Sequence, residues 1–102
     1  MLSRGNIFKQ AEPPAEGERL EVLLETRNLM VERILSSSRI ESQEYRQIQD
    51  EWVMLLKGNA SMDVDGDVVE LVEGDYLFLP SGKPHTVTRV SEGAIWLAVH
   101  LI

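Results

Sequence analysis

The sequence predicts a single-domain, all-β protein, a barrel or sandwich of short strands. Three observations lead there. Turn signals recur at short, regular intervals between Gly58 and Gly93. The stretches between them are dominated by Val, Leu, Ile and aromatic residues, which suit a pleated, half-buried surface. At 102 residues, with 43% hydrophobic and 26% charged residues, the chain fits one domain with a genuine though thin core.

The elements follow in order. Residues 9–19 are polar and contain Pro13-Pro14. Proline gives up a backbone donor and biases its predecessor toward extended forms, so this stretch reads as an arm or loop. Ile7 and Phe8 ahead of it are expected to dock on apolar surface. The layout is therefore an N-terminal arm and loop over 1–19 and a barrel over 20–102.

Residues 20–36 are ambiguous. Leu20, Leu23, Leu24, Val31, Ile34 and Leu35 fit helical spacing, whereas Leu29, Val31, Arg33 and Leu35 also alternate with Met30, Glu32 and Ile34 around a break at Asn28, as in a strand. Periodicity alone slightly favours the helix.

The remainder reads as strands and turns. An apolar run over 52–57 closes at Gly58-Asn59. Strands over 60–64 and 68–71 flank Asp65-Gly66, a hairpin signal because both turn residues tolerate positive φ. A strand over 75–79 stops at Pro80-Ser81-Gly82-Lys83-Pro84. Strands over 85–90 and 94–101 follow, separated by Ser91-Glu92-Gly93.

Several strands are apolar on both faces. Trp52, Met54 and Leu56 oppose Val53 and Leu55; Tyr76 and Phe78 oppose Leu77 and Leu79; Trp96 opposes Ile95 and Leu97. One face can fill a barrel, and the other needs cover. A homodimer is the expected cover, with the Ile7-Phe8 arm as the alternative.

Composition excludes several functions. Ten Lys and Arg against seventeen Asp and Glu leave a net charge of −7. No basic footprint is present to bind nucleic acid or an anionic membrane surface. Without cysteine there are no disulfides, thiolate nucleophiles, zinc ribbons or iron–sulfur clusters. No apolar run approaches the ~20 residues of a membrane-spanning helix. The first residues carry no apolar signal segment, so a soluble cytoplasmic protein is expected.

Residues 74–85 read G-x5-P-x-G-x2-H, ending in His85. This resembles the second motif of the cupin superfamily, the small jelly-roll β-barrels (double-stranded β-helices). Glu51 to Gly58 reads Glu-x6-Gly, similar to the second half of the first cupin motif. The His-x-His pair that normally precedes it is missing. The shorter family spacing puts Tyr45 and Gln47 in those places, the longer one Glu44 and Arg46. The first pair is favoured because it can line an interior without stranding a full charge. Arg89 stands where the second motif usually ends in Asn. The resemblance covers about residues 20 to 102, implies a jelly-roll barrel, and turns the ambiguous stretch into strands.

The resemblance also implies a site inside the barrel. In metal-bearing cupins two or three histidines and a glutamate hold iron, manganese, nickel, zinc or copper. Here His85, Glu51 and Gln47 would be the metal set, two good ligands and one poor one, because an amide oxygen is a weak donor to late transition metals. Other cupins use a histidine and a carboxylate as acid and base, which makes Glu51 and His85 the candidate catalytic pair. A structural ion pair of these groups with Arg46 or Arg89 is the competing reading.

Tyr45, Gln47, Arg89 and His100 are the candidate ligand-binding residues. Arg89 would clamp an anion at the rim, or else pair with Glu44, Asp50 or Glu92. His100 shares the parity of Trp96 and Ala98 and enters the site if that face turns inward; otherwise it is a half-exposed residue near the C-terminus. The acidic stretch 63–67 is too short for a calcium cage, and Ser36-Ser37-Ser38 reads as a turn. The expected function is binding of a small molecule, with a divalent metal as candidate cofactor. The alternative is a metal-dependent or acid–base enzyme of the dioxygenase, isomerase or epimerase class acting on a small polar metabolite. The fold hosts many reactions and does not choose among them.

Overall fold

A computed structural model describes residues 2–42 and 44–102. The strands are β1 (Glu18–Glu25), β2 (Leu29–Ser36), β3 (Asp50–Lys57), β4 (Ala60–Val64), β5 (Asp67–Leu71), β6 (Tyr76–Leu79), β7 (His85–Val90) and β8 (Ala94–Leu101). No helix occurs among the described residues. A five-stranded sheet, β1-β2-β8-β3-β6, packs on a three-stranded sheet, β5-β4-β7, with every pair antiparallel. This is the jelly-roll barrel expected from the motifs.

The ambiguous stretch forms two strands, with β1 beginning at Glu18 rather than Leu20. Thr26 Oγ1 accepts from the amides of Asn28 (3.2 Å) and Leu29 (3.2 Å), which closes the β1–β2 turn. All eight residues of β2 then pair with β8, some 65 positions away in the chain. Non-local pairing of this extent overrides the local helical spacing. The hairpin at Asp65-Gly66 forms as expected, with φ of 51° and 91°.

Strand alternation sets the core. Val53, Leu55, Leu79, Ala94, Trp96 and Ala98 from the large sheet meet Ala60, Met62, Leu71 and Val90 from the small one. Gly58, the glycine of the Glu-x6-Gly motif, has φ of +94°, and a Cβ there would sit 2.5 Å from Ser91 Oγ. The position therefore requires glycine twice over, by conformation and by space.

The Ser36–Ser38 run is more than a turn. Ser36 and Ser37 are fully buried. Ser36 Oγ accepts from Trp96 Nε1 at 3.1 Å and donates to Glu18 Oε2 at 3.3 Å. It satisfies the one polar atom of a core tryptophan, which would otherwise be stranded.

Cover on the outer face differs from expectation. The arm is held through its backbone carbonyls, with Ile7 half-buried and Phe8 largely exposed. Arg33, on the outer side of β2 and only 7% exposed, donates to the carbonyls of Ile7 (3.1 Å), Lys9 (2.7 Å) and Gln10 (3.1 Å). Its Nε also reaches Glu21 Oε1 at 2.7 Å. A buried guanidinium needs several acceptors, and the arm supplies them. The arm leaves β3 and β6 open. Tyr76 and Phe78 are 65% and 54% exposed, and Tyr76 lies against Trp52 with ring centroids 5.6 Å apart.

Replacing Arg33 by Ala strands Glu21 and releases three carbonyls. The expected loss is about 2–4 kcal/mol in urea unfolding, with faster tryptic cleavage at Arg4 and Lys9. Unchanged proteolysis of the arm would contradict the clamp.

Candidate functional site

The inward positions grade from apolar at one end of the barrel to polar at the other. Along β8 they run Ala94, Trp96, Ala98, His100; along β3 they run Leu55, Val53, Glu51. Register sets Glu51 opposite His100 on β8 and opposite Leu79 on β6. On β2, Glu32 and Ile34 face the same interior.

A cavity of about 140 Å³ opens at this polar end. Tyr45, Gln47, Glu51, His85 and His100 all line it, and so do Glu18 and Glu32. Val53, Met62, Leu79, Val87 and Trp96 form its apolar wall.

The corner after β6 delivers His85 as the motif suggests. Gly82 donates its amide to the Gln47 carbonyl at 2.7 Å, and Tyr45 and His85 exchange backbone hydrogen bonds of 2.8 and 3.0 Å. These bonds hold the segment before β3 against the start of β7. The Tyr45 ring stacks on the His85 ring at 6.0 Å. His85 Nδ1 lies 3.3 Å from the Lys83 carbonyl, a long contact that assigns it the ring proton, because a carbonyl only accepts. Glu44 and Arg46, the other pair the spacing allowed, face solvent and bond each other at 3.1 Å.

His100 turns inward, resolving its two readings. Its Nε2 lies 2.7 Å from Glu32 Oε1 and 4.0 Å from Glu51 Oε2. A carboxylate only accepts, so Nε2 carries the proton. Sequence reasoning missed Glu32 and Glu18 as site residues. Glu32 sits in the stretch whose periodicity suggested a helix and Glu18 in the stretch read as an arm or loop, and only the pairing of β2 with β8 puts Glu32 beside His100. Glu18 reaches in from edge strand β1 and is tethered by Ser36.

Glu51 is 5% exposed, and its Oε1 has no hydrogen-bond partner. Burial pushes its carboxyl above the ordinary value of 4.5. His100, His85 and the Gln47 amide pull the other way, and Glu32 adds to the push. Burial likewise raises Glu18; the Ser36 hydroxyl opposes this, and Glu51 adds to it. Neither Arg46 nor Arg89 approaches Glu51, so the competing ion pair does not form.

Arg89 is a correction. It does not line the cavity, and its partners are Asn59 Oδ1 (2.7 Å), Ser61 Oγ (3.3 Å) and Glu70 Oε2 (3.6 Å). The cause is a register shift in which Ser61 pairs with Arg89 but Met62 pairs with Val87. The extra residue, Thr88, reverses the alternation, so the inward series is His85, Val87, Val90 and Arg89 faces out.

The donor set does not fit a transition metal. Among the described residues no three His, Asp or Glu side chains gather in a way that could hold a metal ion. His100 Nε2 is engaged by Glu32, and the two places of the missing His-x-His pair offer a phenol and an amide oxygen. Tight sites use three strong ligands.

The chain is similar to several solved structures. One is a proposed mannose-6-phosphate isomerase from Ralstonia eutropha JMP134, 34% identical over 96% of each chain, with a TM-score of 0.88. Another is an RmlC-like cupin from Shewanella frigidimarina NCIMB 400, 21% identical, covering 92% of this chain and 86% of that one, TM-score 0.78. A third is KdgF from Halomonas sp., 14% identical, covering 83% and 78%, TM-score 0.77. The last two speak for the fold alone. Among curated proteins none matches the chain. The cupin domain model matches residues 34–100, which span every strand from the end of β2 to β8 and both motif halves found in the sequence. With that match and the 34% identical relative, the chain belongs to the cupin domain family.

Proposed function

We propose that the protein binds a small molecule in the polar end of its barrel, with Glu51 as the anchoring group. The supporting observation is the buried, unpartnered Oε1 of Glu51 in a cavity also lined by His85 and His100. Buried polar atoms are normally satisfied, and one left open in a cavity marks where a ligand or water belongs. Tyr45 and Gln47 complete the polar wall.

A second reading is acid–base catalysis on the same ligand. A carboxyl raised toward neutrality beside two imidazoles can take a proton at one ligand atom and return one at another. That chemistry suits an isomerase or epimerase, the reaction class named for the Ralstonia relative. Glu51→Gln and His85→Ala should then abolish turnover while each variant keeps the wild-type circular dichroism spectrum. Turnover that survives both substitutions would end the catalytic reading.

The raised Glu51 carboxyl carries a stability signature. Its proton is held more tightly in the folded chain than in the unfolded one. The stability this contributes is full below pH 4.5 and is lost as pH rises through the folded value. Glu51→Gln is therefore expected to be more stable than wild type at neutral pH, with the advantage shrinking toward pH 4. Glu18, Glu32, His85 and His100 face the same space, so the readout is the stability difference between the two proteins in urea at each pH from 4 to 7. An advantage independent of pH would refute the shift.

The donor set leads to weak metal retention. After dialysis against a mixture of divalent ions, less than about one-tenth equivalent per chain should remain bound, since two strong ligands do not make a tight site. Stoichiometric retention would restore the metal reading.

A second copy of the chain is the proposed cover for Trp52, Tyr76 and Phe78, because Tyr76 and Phe78 stay more than half exposed beside the Trp52 ring. Light scattering should give the mass of a dimer, and Tyr76→Glu the mass of a monomer; a wild-type monomer at micromolar concentration would refute it.

A further inference from the structure

We infer that the cavity selects a small organic cation, a primary ammonium or amidinium on an apolar body about the size of one six-membered ring, and rejects carboxylates and phosphates. This rests on the binding reading above and narrows it to a class of ligand.

The first ground is what lines the cavity. Three carboxylates approach it from three strands: Glu18 on β1, Glu32 on β2 and Glu51 on β3. Neither Lys nor Arg lines it. The strand arginines are spent on the outside. Arg33 clamps the arm, Arg19 donates to the Glu12 carbonyl at 2.7 Å, and Arg89 is turned out by the β7 bulge. The two imidazoles are the only basic side chains in the lining, and His100 Nε2 already lies 2.7 Å from Glu32 Oε1. An anion entering here would meet a carboxylate-lined wall with no Lys or Arg to answer it.

The second ground is independent of the charge count. Glu51 Oε1 and Gln47 Oε1 are both buried acceptors without a donor. A ligand that satisfies them must bring N–H or O–H groups. An ammonium or amidinium brings two or more and adds a charge-assisted bond to the carboxylate. A metal ion would answer the same oxygens, but the donor set described above does not gather around one.

The third ground is shape. Ile34, Val53, Met62, Leu79, Val87 and Trp96 give the cavity an apolar wall beside its polar groups. The volume of about 140 Å³ is close to the ~150 Å³ cavity that admits a benzene ring. It lies well below the ~300–1,000 Å³ of sites for larger ligands. One cationic head and one compact apolar body fill such a space.

The test uses the full chain, freed of metal by chelator and dialysis, and four probes at millimolar concentration in calorimetry or ligand-observed NMR: benzylammonium, benzyl alcohol, benzoate and mannose 6-phosphate. The first three are nearly equal in size and differ in charge. Benzylammonium should bind at least tenfold more tightly than benzyl alcohol, with benzoate and the sugar phosphate weaker still. In Glu51→Gln the preference for the ammonium over the alcohol should disappear while the alcohol still binds, which also shows that the variant is folded. Alcohol binding as tight as ammonium binding, or tighter binding of either anion, overturns the cation inference and leaves the small-molecule site standing. Failure of all four probes overturns the site reading itself, and the inference with it.

Discussion

A barrel built from eight short strands has room inside for one inward row of side chains per strand. Everything else in this molecule follows from how those rows are filled. At one end Leu55, Ala60, Ala94 and Trp96 pack to exclusion of solvent. At the other the same strands turn carboxylates and imidazoles inward. Ionisable groups in such a place are costly unless they answer one another. Glu32 and His100 do so at 2.7 Å. Glu51, one strand over, is answered only in part. The polar end is thus a cavity held slightly short of satisfaction, unlike the core beside it.

The missing His-x-His pair and the presence of Glu32 and His100 are best seen together. By the shorter spacing of the cupin resemblance, Tyr45 and Gln47 take the places of the two motif histidines, and both line the cavity. An imidazole is supplied instead by the last strand, and a second carboxylate by β2. The interior keeps its polarity while its donor chemistry changes from nitrogen-rich to oxygen-rich. Oxygen acceptors with few strong nitrogen ligands favour partners that donate hydrogen bonds over partners that coordinate. The bulge at Thr88 acts in the same direction, since it removes the one arginine that parity alone would have turned into the cavity.

The outside of the barrel is managed by two devices. On β2, where a guanidinium is buried, the N-terminal arm lays down its carbonyls, and backbone rather than side chain does the covering. Over β3 and β6 the aromatic surface is left bare. A chain of 102 residues cannot cover both faces of its larger sheet.

Much of this was legible in the sequence. The turn residues and two-faced strands pointed to an all-β sandwich or barrel, because each acts through local backbone preference, and the cupin resemblance carried by Gly74, Pro80, Gly82 and His85 made it a jelly roll. They also placed Glu51 and His85 in one interior, with Tyr45 and Gln47 beside them. What the tertiary structure alone decided was contact between residues far apart in the chain. Glu32 meets His100 only because β2 pairs with β8. Ser36 meets Trp96 for the same reason. Arg89 faces out because a single extra residue in β7 shifts its pairing with β4. Alternation along one strand is a local property; the pairing that gives that alternation its direction is not.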